Sequence, residues 1–165
     1  MAAFQLDKVK ASYLATALTP WKMNLYFLRY LPSALFWGIR ITEAMQERCT
    51  TRLRFRWRNQ NPYNSIYFAA QAGAAEMSTG LLAIAALQGK PPVSMLVVGL
   101  QAEFMKKARG RTLFTCEDGR GIEEAVEKAL ATGAGQTFTA TSIGRLESGE
   151  EVSRTRITWS FKPKA

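Results

Sequence analysis

The chain of 165 residues contains no histidine. Mechanisms that rest on an imidazole are therefore excluded within one chain: Ser-His-Asp and Cys-His catalysis, and any His-ligated metal site. Cysteine is scarce too. Cys49 and Cys116 stand far apart in sequence and in no Cys-x-x-Cys pair, which predicts two reduced thiols in a cytoplasmic protein. Long hydrophobic runs are missing, so no membrane-spanning helix is expected, and the first ten residues lack the apolar segment of a signal peptide. Acidic residues are few: 13 Asp and Glu stand against 22 Lys and Arg, a net charge of +9. That surplus favours anionic partners such as phosphates, nucleic acid or an acidic membrane surface, and says nothing about fold. Repeats and low-complexity segments are absent, and the length suits a single domain with a proper core.

What is present is organised around Asn61–Leu87. Between Arg58 and Lys90 the only charged residue is Glu76. The stretch predicts one long buried helix, with Asn64 or Ser65 as N-cap and Gly89 followed by Pro91 and Pro92 as its end. At 100° per residue Ala69, Ala72, Gly73, Glu76, Thr79, Gly80 and Ala83 share a stripe of small side chains. Each helix glycine costs about 1 kcal/mol relative to alanine, so the stripe implies the close approach of another element or a ligand. Glu76 in that stripe is either a structural carboxylate, paired with an arginine or facing solvent, or a general base whose pKa burial raises.

Around this helix the periodicity changes. Residues 4–18 carry a loose helical repeat that includes Phe4, Val9, Tyr13 and Leu14. Pro20 opens a second helix and Pro32 a third short one, ending near Gly38. Their aromatics predict either a lid packed on the core or an interfacial membrane contact. From Ile39 the period becomes two. Ile39–Met45 reads as a strand, and so does Cys49–Arg58, where Thr51, Leu53, Phe55 and Trp57 alternate with Arg52, Arg54, Arg56 and Arg58. The arginine face is either solvated or meets phosphate, including a nucleic-acid backbone. Val93–Met105, Arg111–Glu117, Gln136–Leu146 and Glu151–Phe161 follow as strands, with a short helix ending at Gly133 between the second and third, and the last two read as a hairpin around Ser148-Gly149. The order predicts an α+β fold: an antiparallel sheet wrapped on the long helix.

With these elements placed, Asn61, Tyr67 six residues on and Glu76 nine further stand at the spacing of a known motif: Asn, the His of His-Gly-Gly, and an acidic residue in the following helix. Over residues 38–162 the chain resembles the hotdog-fold thioesterase-like superfamily of the phenylacetate-pathway (PaaI-like) type. Asn61 and Glu76 match; Tyr67 replaces the His, and Phe68-Ala69 replace the two glycines. The resemblance implies one hotdog domain over 1–165, with 1–37 a helical extension and 121–132 an inserted helix. It implies Glu76 as the base or nucleophile and Asn61 as the group orienting water or substrate. Tyr67, Phe68, Ala69 and Gly73 would line the substrate, with an amide near Ala69 stabilising the oxyanion. The activity implied is hydrolysis of an acyl-CoA or similar thioester, with coenzyme A as part of the substrate and no other cofactor or metal. Lys106, Lys107, Arg109 and Arg111 would meet its phosphates. The family pairs two subunits with sites between their helices, so a homodimer or tetramer is expected. The alternatives are a non-catalytic hotdog module that binds an acyl chain or other hydrophobic ligand, and an anionic-surface or nucleic-acid binder using Arg52, Arg54, Arg56 and Arg58.

Overall fold

A computed structural model describes residues 2–164, with side chains from Lys8 onward; the part expected of the Phe4 side chain in the helical repeat lies outside the described side chains. Three helices lead: α1 (Ala2–Ala17), α2 (Pro20–Tyr30) and α3 (Pro32–Trp37). Pro20 and Pro32 each sit in the first helical turn, where a missing N–H costs nothing. Strands β1 (Arg40–Ala44) and β2 (Cys49–Arg54) precede the long helix α4 (Phe68–Leu87), and β3 (Val93–Phe104) and β4 (Arg111–Cys116) follow it. Helix α5 (Gly119–Thr132) separates β4 from β5 (Gln136–Leu146) and β6 (Glu151–Pro163).

The strands form one six-stranded antiparallel sheet in the order β1-β2-β4-β5-β6-β3. Helix α4 lies against its inner face, touching β2, β4, β5 and β6, with α5 beside it. This is the hotdog architecture expected. Consecutive strands β3 and β4 are not neighbours: among the described residues β3 pairs with β6 alone and stands at the edge of the sheet. The core joins Phe27, Ile39, Leu53, Ile66, Phe114, Ile157 and Phe161 to the apolar side of α4.

The small stripe on α4 has a direct explanation. A Cβ on Gly73 would stand 3.2 Å from the Trp37 ring, and one on Gly80 would stand 3.3 Å from the Trp159 ring. Two tryptophans, from α3 and from β6, thus approach the helix where side chains are absent. Thr79 accepts the Trp159 indole N–H at 3.1 Å, and Thr51 donates to the Ala74 carbonyl at 2.7 Å, tying the sheet to the helix.

Two boundaries differ from expectation. Helix α4 begins two to three residues late, with Tyr67 rather than Asn64 or Ser65 at its N-cap. Asn64 is left-handed at φ 58°, and the Asn61 side chain binds the Tyr63 and Ser65 amides at 3.0 and 3.2 Å. That Asx turn competes locally with the helix. Ile66 and Tyr67 then donate to Ala108 and Asn59 carbonyls instead of entering it. Strand β2 ends at Arg54 rather than Arg58, and Trp57–Asn59 form a 3-10 turn. Asn59, only 2% exposed, causes the break. Its carbonyl oxygen accepts the Arg56 amide at 2.9 Å, and its NH2 donates to the Trp37 and Arg54 carbonyls at 3.0 and 2.8 Å. Trp57 is therefore not a core residue: it is 76% exposed, in edge contact with Phe36.

Candidate active site

Glu76 lines a largely apolar cavity of about 260 Å³ between α1, α2, α4 and β3. Tyr13, Met23, Met77, Leu81, Ile84 and Met95 supply its walls. Among the described residues the Glu76 carboxylate has no ion-pair or hydrogen-bond partner; no arginine reaches it. Burial alone pushes its pKa up, because desolvation penalises the ionised form and nothing nearby offsets the cost. Gly80, one turn on, gives the carboxylate room: a Cβ there would meet Glu76 Oε1 at 3.2 Å. Tyr13, on the same cavity, also has its pKa raised, chiefly by burial.

The other motif residues gather elsewhere. Asn61, Phe68, Lys106 and Lys107 line a second, open hollow with Gln71 and Phe104, at the start of α4. Both oxygen and nitrogen of the Asn61 side chain are engaged within the loop, to Tyr63 and Ser65. Gln71 donates to the Ile66 carbonyl at 3.0 Å, while its own side-chain oxygen is buried without a partner. No side chain caps α4, and Gln71 is the first amide of the helix to find a carbonyl, that of Tyr67 at 3.1 Å. The helix start thus leaves the amides of Phe68, Ala69 and Ala70 without a carbonyl; Ala70 is fully buried, and of the three residues Phe68 alone lines the hollow.

Eight residues separate Phe68 from Glu76, roughly 12 Å along the axis. One chain therefore holds carboxylate and helix-start donors at two different places on α4. Gly73 lies between them, packed under Trp37. Tyr67 stacks edge-on against Phe68 at 4.7 Å, and Phe68 meets Phe104 at 6.2 Å. Phe68 is 56% exposed and Leu100 53%, so an apolar surface on β3 and the helix start faces outward.

The basic turn divides. Lys106 pairs with Glu150, Arg111 with Glu147 at 2.8 Å, and Arg109 donates to the Asn64 carbonyl at 3.1 Å. Lys106 and Lys107 border the helix-start hollow; Arg109 and Arg111 do not line it. Sequence reasoning missed the apolar cavity itself, because its walls come from α1 and α2, whose aromatics and methionines carry no motif. It also left Cys49 and Cys116 unrelated, whereas the register places them directly opposite on β2 and β4, both buried free thiols with pKa pushed up to about 12 by burial.

Comparison with solved structures gives the same architecture at low identity. PA5026 of Pseudomonas aeruginosa, described as a protein of unknown function and probable thioesterase, superposes with a TM-score of 0.70 at 16% identity. The match covers 87% of this chain and 95% of that one. Thioesterase HI1161 of Haemophilus influenzae gives 0.61 at 14% identity, covering 84% and 88%. A Chlorobaculum tepidum protein of unknown function gives 0.72 at 13%, covering 90% and 99%. No curated protein matches in sequence. The family model for a domain of unknown function, DUF4442, matches residues 21–161, from α2 to β6, and the chain therefore belongs to that family.

Proposed function

We propose that the protein hydrolyses an acyl-CoA or related thioester, with Glu76 as general base. The observation that carries this reading is a carboxylate without a partner, opening on an apolar cavity and held with a raised pKa. A structural glutamate would be paired; this one stands ready to take a proton. In the reaction Glu76 removes a proton from water, the resulting hydroxide attacks the thioester carbonyl, and backbone N–H groups at a helix start hold the oxyanion. Collapse expels the thiolate, a good leaving group whose pKa near 8.5 removes the need for an imidazole acid. The methionine- and leucine-lined cavity suits the acyl chain.

The site is completed by a second copy. Carboxylate and helix-start donors lie roughly 12 Å apart in one chain, too far to act on one carbonyl. Two α4 helices brought together about a two-fold axis would set Glu76 of one subunit near the helix start of the other. The edge strand β3 is the pairing surface we favour: it bonds to β6 alone and exposes Leu96, Val98, Leu100 and Phe104. Lys106 and Lys107 at the helix-start hollow would meet coenzyme A phosphates. A tetramer would be built from such dimers. The buried, opposed thiols of Cys49 and Cys116 suit a reducing cytoplasm.

The second reading, a non-catalytic module that holds a hydrophobic ligand, is favoured by one observation: the Asn61 side chain is spent inside its own loop. Purified protein and Glu76→Gln, assayed on short, long and aromatic acyl-CoAs with a thiol trap, separate the two. Turnover lost in a folded variant supports hydrolysis; no turnover by the wild type on any of them leaves the binding module.

A further inference from the structure

The sequence shows four alternating arginines on what reads as one strand, yet the structure does not lay them out as a ladder. Asn59 folds the chain back after Arg54, and Arg52, Arg54, Arg56 and Arg58 converge with Arg40 of β1 around a pocket of about 190 Å³ floored by Trp37 and Gly38. The pocket is built by backbone. Gly38 is left-handed at φ 79°, closes α3 by binding the Ala34 and Leu35 carbonyls, and lies directly beneath the Arg58 guanidinium; a Cβ there would collide with it.

None of the five guanidinium groups has a carboxylate within ion-pair distance among the described residues. The nearby acids are committed elsewhere. Glu147 pairs with Arg111 at 2.8 Å, and Glu43 with Arg48 at 3.2 Å while accepting the Thr50 hydroxyl at 2.9 Å. The other outer-face arginines show the contrast: Arg145, Arg154 and Arg156 each hold a glutamate. Burial and the neighbouring Arg54, Arg111 and Arg40 charges push the Arg52 pKa down, against a smaller opposing pull from Glu147. Five like charges gathered without a paired carboxylate among the described residues repel one another, and solvated surface arginines ordinarily spread apart to avoid it.

We propose that this pocket is a binding site for a multiply charged phosphate group, a phosphate monoester or diphosphate, separate from the Glu76 cavity. Guanidinium forks match phosphate oxygens two at a time, and only a polyanion neutralises a cluster of this charge. Trp37 lines the arginine pocket and packs on Gly73 of α4, one turn before Glu76. A ligand there would therefore be sensed at the helix that carries Glu76, though the proposal does not depend on catalysis.

Inorganic pyrophosphate titrated into the full chain by calorimetry at low salt tests this. The comparison is Arg52→Gln/Arg58→Gln against Arg154→Gln/Arg156→Gln, which removes the same charge from paired positions. We expect one saturable site, weakened about a hundredfold by the first pair (about tenfold per lost charge-assisted contact) and little changed by the second. If the first pair fails to fold, Arg58→Lys keeps the charge, removes the fork, and is expected to weaken binding by itself. Absence of saturable binding, or equal weakening by both pairs, overturns the proposal. Co-sedimentation with phosphatidylglycerol vesicles, abolished by the pocket variant, would assign the group to a lipid head. Displacement of pyrophosphate by a soluble phosphate monoester, with vesicles ignored, would assign it to a free compound.

Discussion

Gly80→Ala separates the placement of Glu76 from the stability of the fold. The added methyl would meet Glu76 Oε1 at 3.2 Å and the Trp159 ring at 3.3 Å. Both contacts are tight by a few tenths of an ångström, so each neighbour must give, and the freer one moves further. Trp159 is fixed by its bond to Thr79 at 3.1 Å and is almost fully buried. Among the described residues nothing holds the Glu76 carboxylate, and a cavity lies in front of it, so the carboxylate yields. On the stability side, alanine in place of a mid-helix glycine contributes about 1 kcal/mol, which offsets the low end of an overpacking cost of about 1–3 kcal/mol. The net cost is therefore at most about 2 kcal/mol, and the melting temperature should fall by no more than about 4–8 °C. On the catalytic side, a misplacement of about 1 Å can cost on the order of a hundredfold, so the smaller shift here should lower kcat on the order of tenfold with KM nearly constant. Thermal unfolding and thioester turnover on the same preparation read both. A folded variant with unchanged kcat would refute the claim that Glu76 position governs the reaction. Collapse of the fold would refute the claim that Glu76 is free to give way.

Asn59→Ala removes three buried hydrogen bonds, to Trp37, Arg54 and Arg56, and should cost about 3 kcal/mol at about 1 kcal/mol each; urea unfolding measures it, and a loss below about 1 kcal/mol would contradict the role given to Asn59. Glu76→Gln should stabilise the fold at alkaline pH and not at acid pH. The native state holds the Glu76 proton more tightly than the unfolded chain, so wild-type stability falls as pH rises from the ordinary carboxyl pKa through the raised one, and the variant lacks that fall. Equal slopes in pH-dependent unfolding would contradict it. Leu100→Lys places a charge on the exposed edge strand β3 and should shift the sedimenting species to half its mass with the circular dichroism spectrum unchanged.

Much of the fold was legible because its signals are local. Alternation in β5 and β6, proline at the starts of α2 and α3, and Gly38, Gly89 and Gly133 at helix ends each report on their own few residues. The start of α4 was misread because Asn64 and Ser65 are good caps, while the Asx turn at Asn61 and the carbonyls of Asn59 and Ala108 hold that segment extended. The end of β2 was misread for a related reason: alternation continues to Arg58, but Asn59 draws in partners from Trp37, 22 residues away. Glu76 was legible as an isolated charge in an apolar helix. That it faces a cavity rather than an arginine depended on α1 and α2, whose packing over α4 no spacing in the sequence announces.

In the proposed reaction Glu76 works as the base in thioester hydrolysis. The most direct measurement is the pH dependence of kcat/KM on an acyl-CoA that the protein turns over, beside Glu76→Gln. The account predicts a rate that rises with pH through a single ionisation above the ordinary carboxyl range, because the base must be unprotonated and burial raises its pKa. In the variant that limb should disappear together with most of the activity. A variant with the wild-type rate and the same pH limb would show that another group takes the proton.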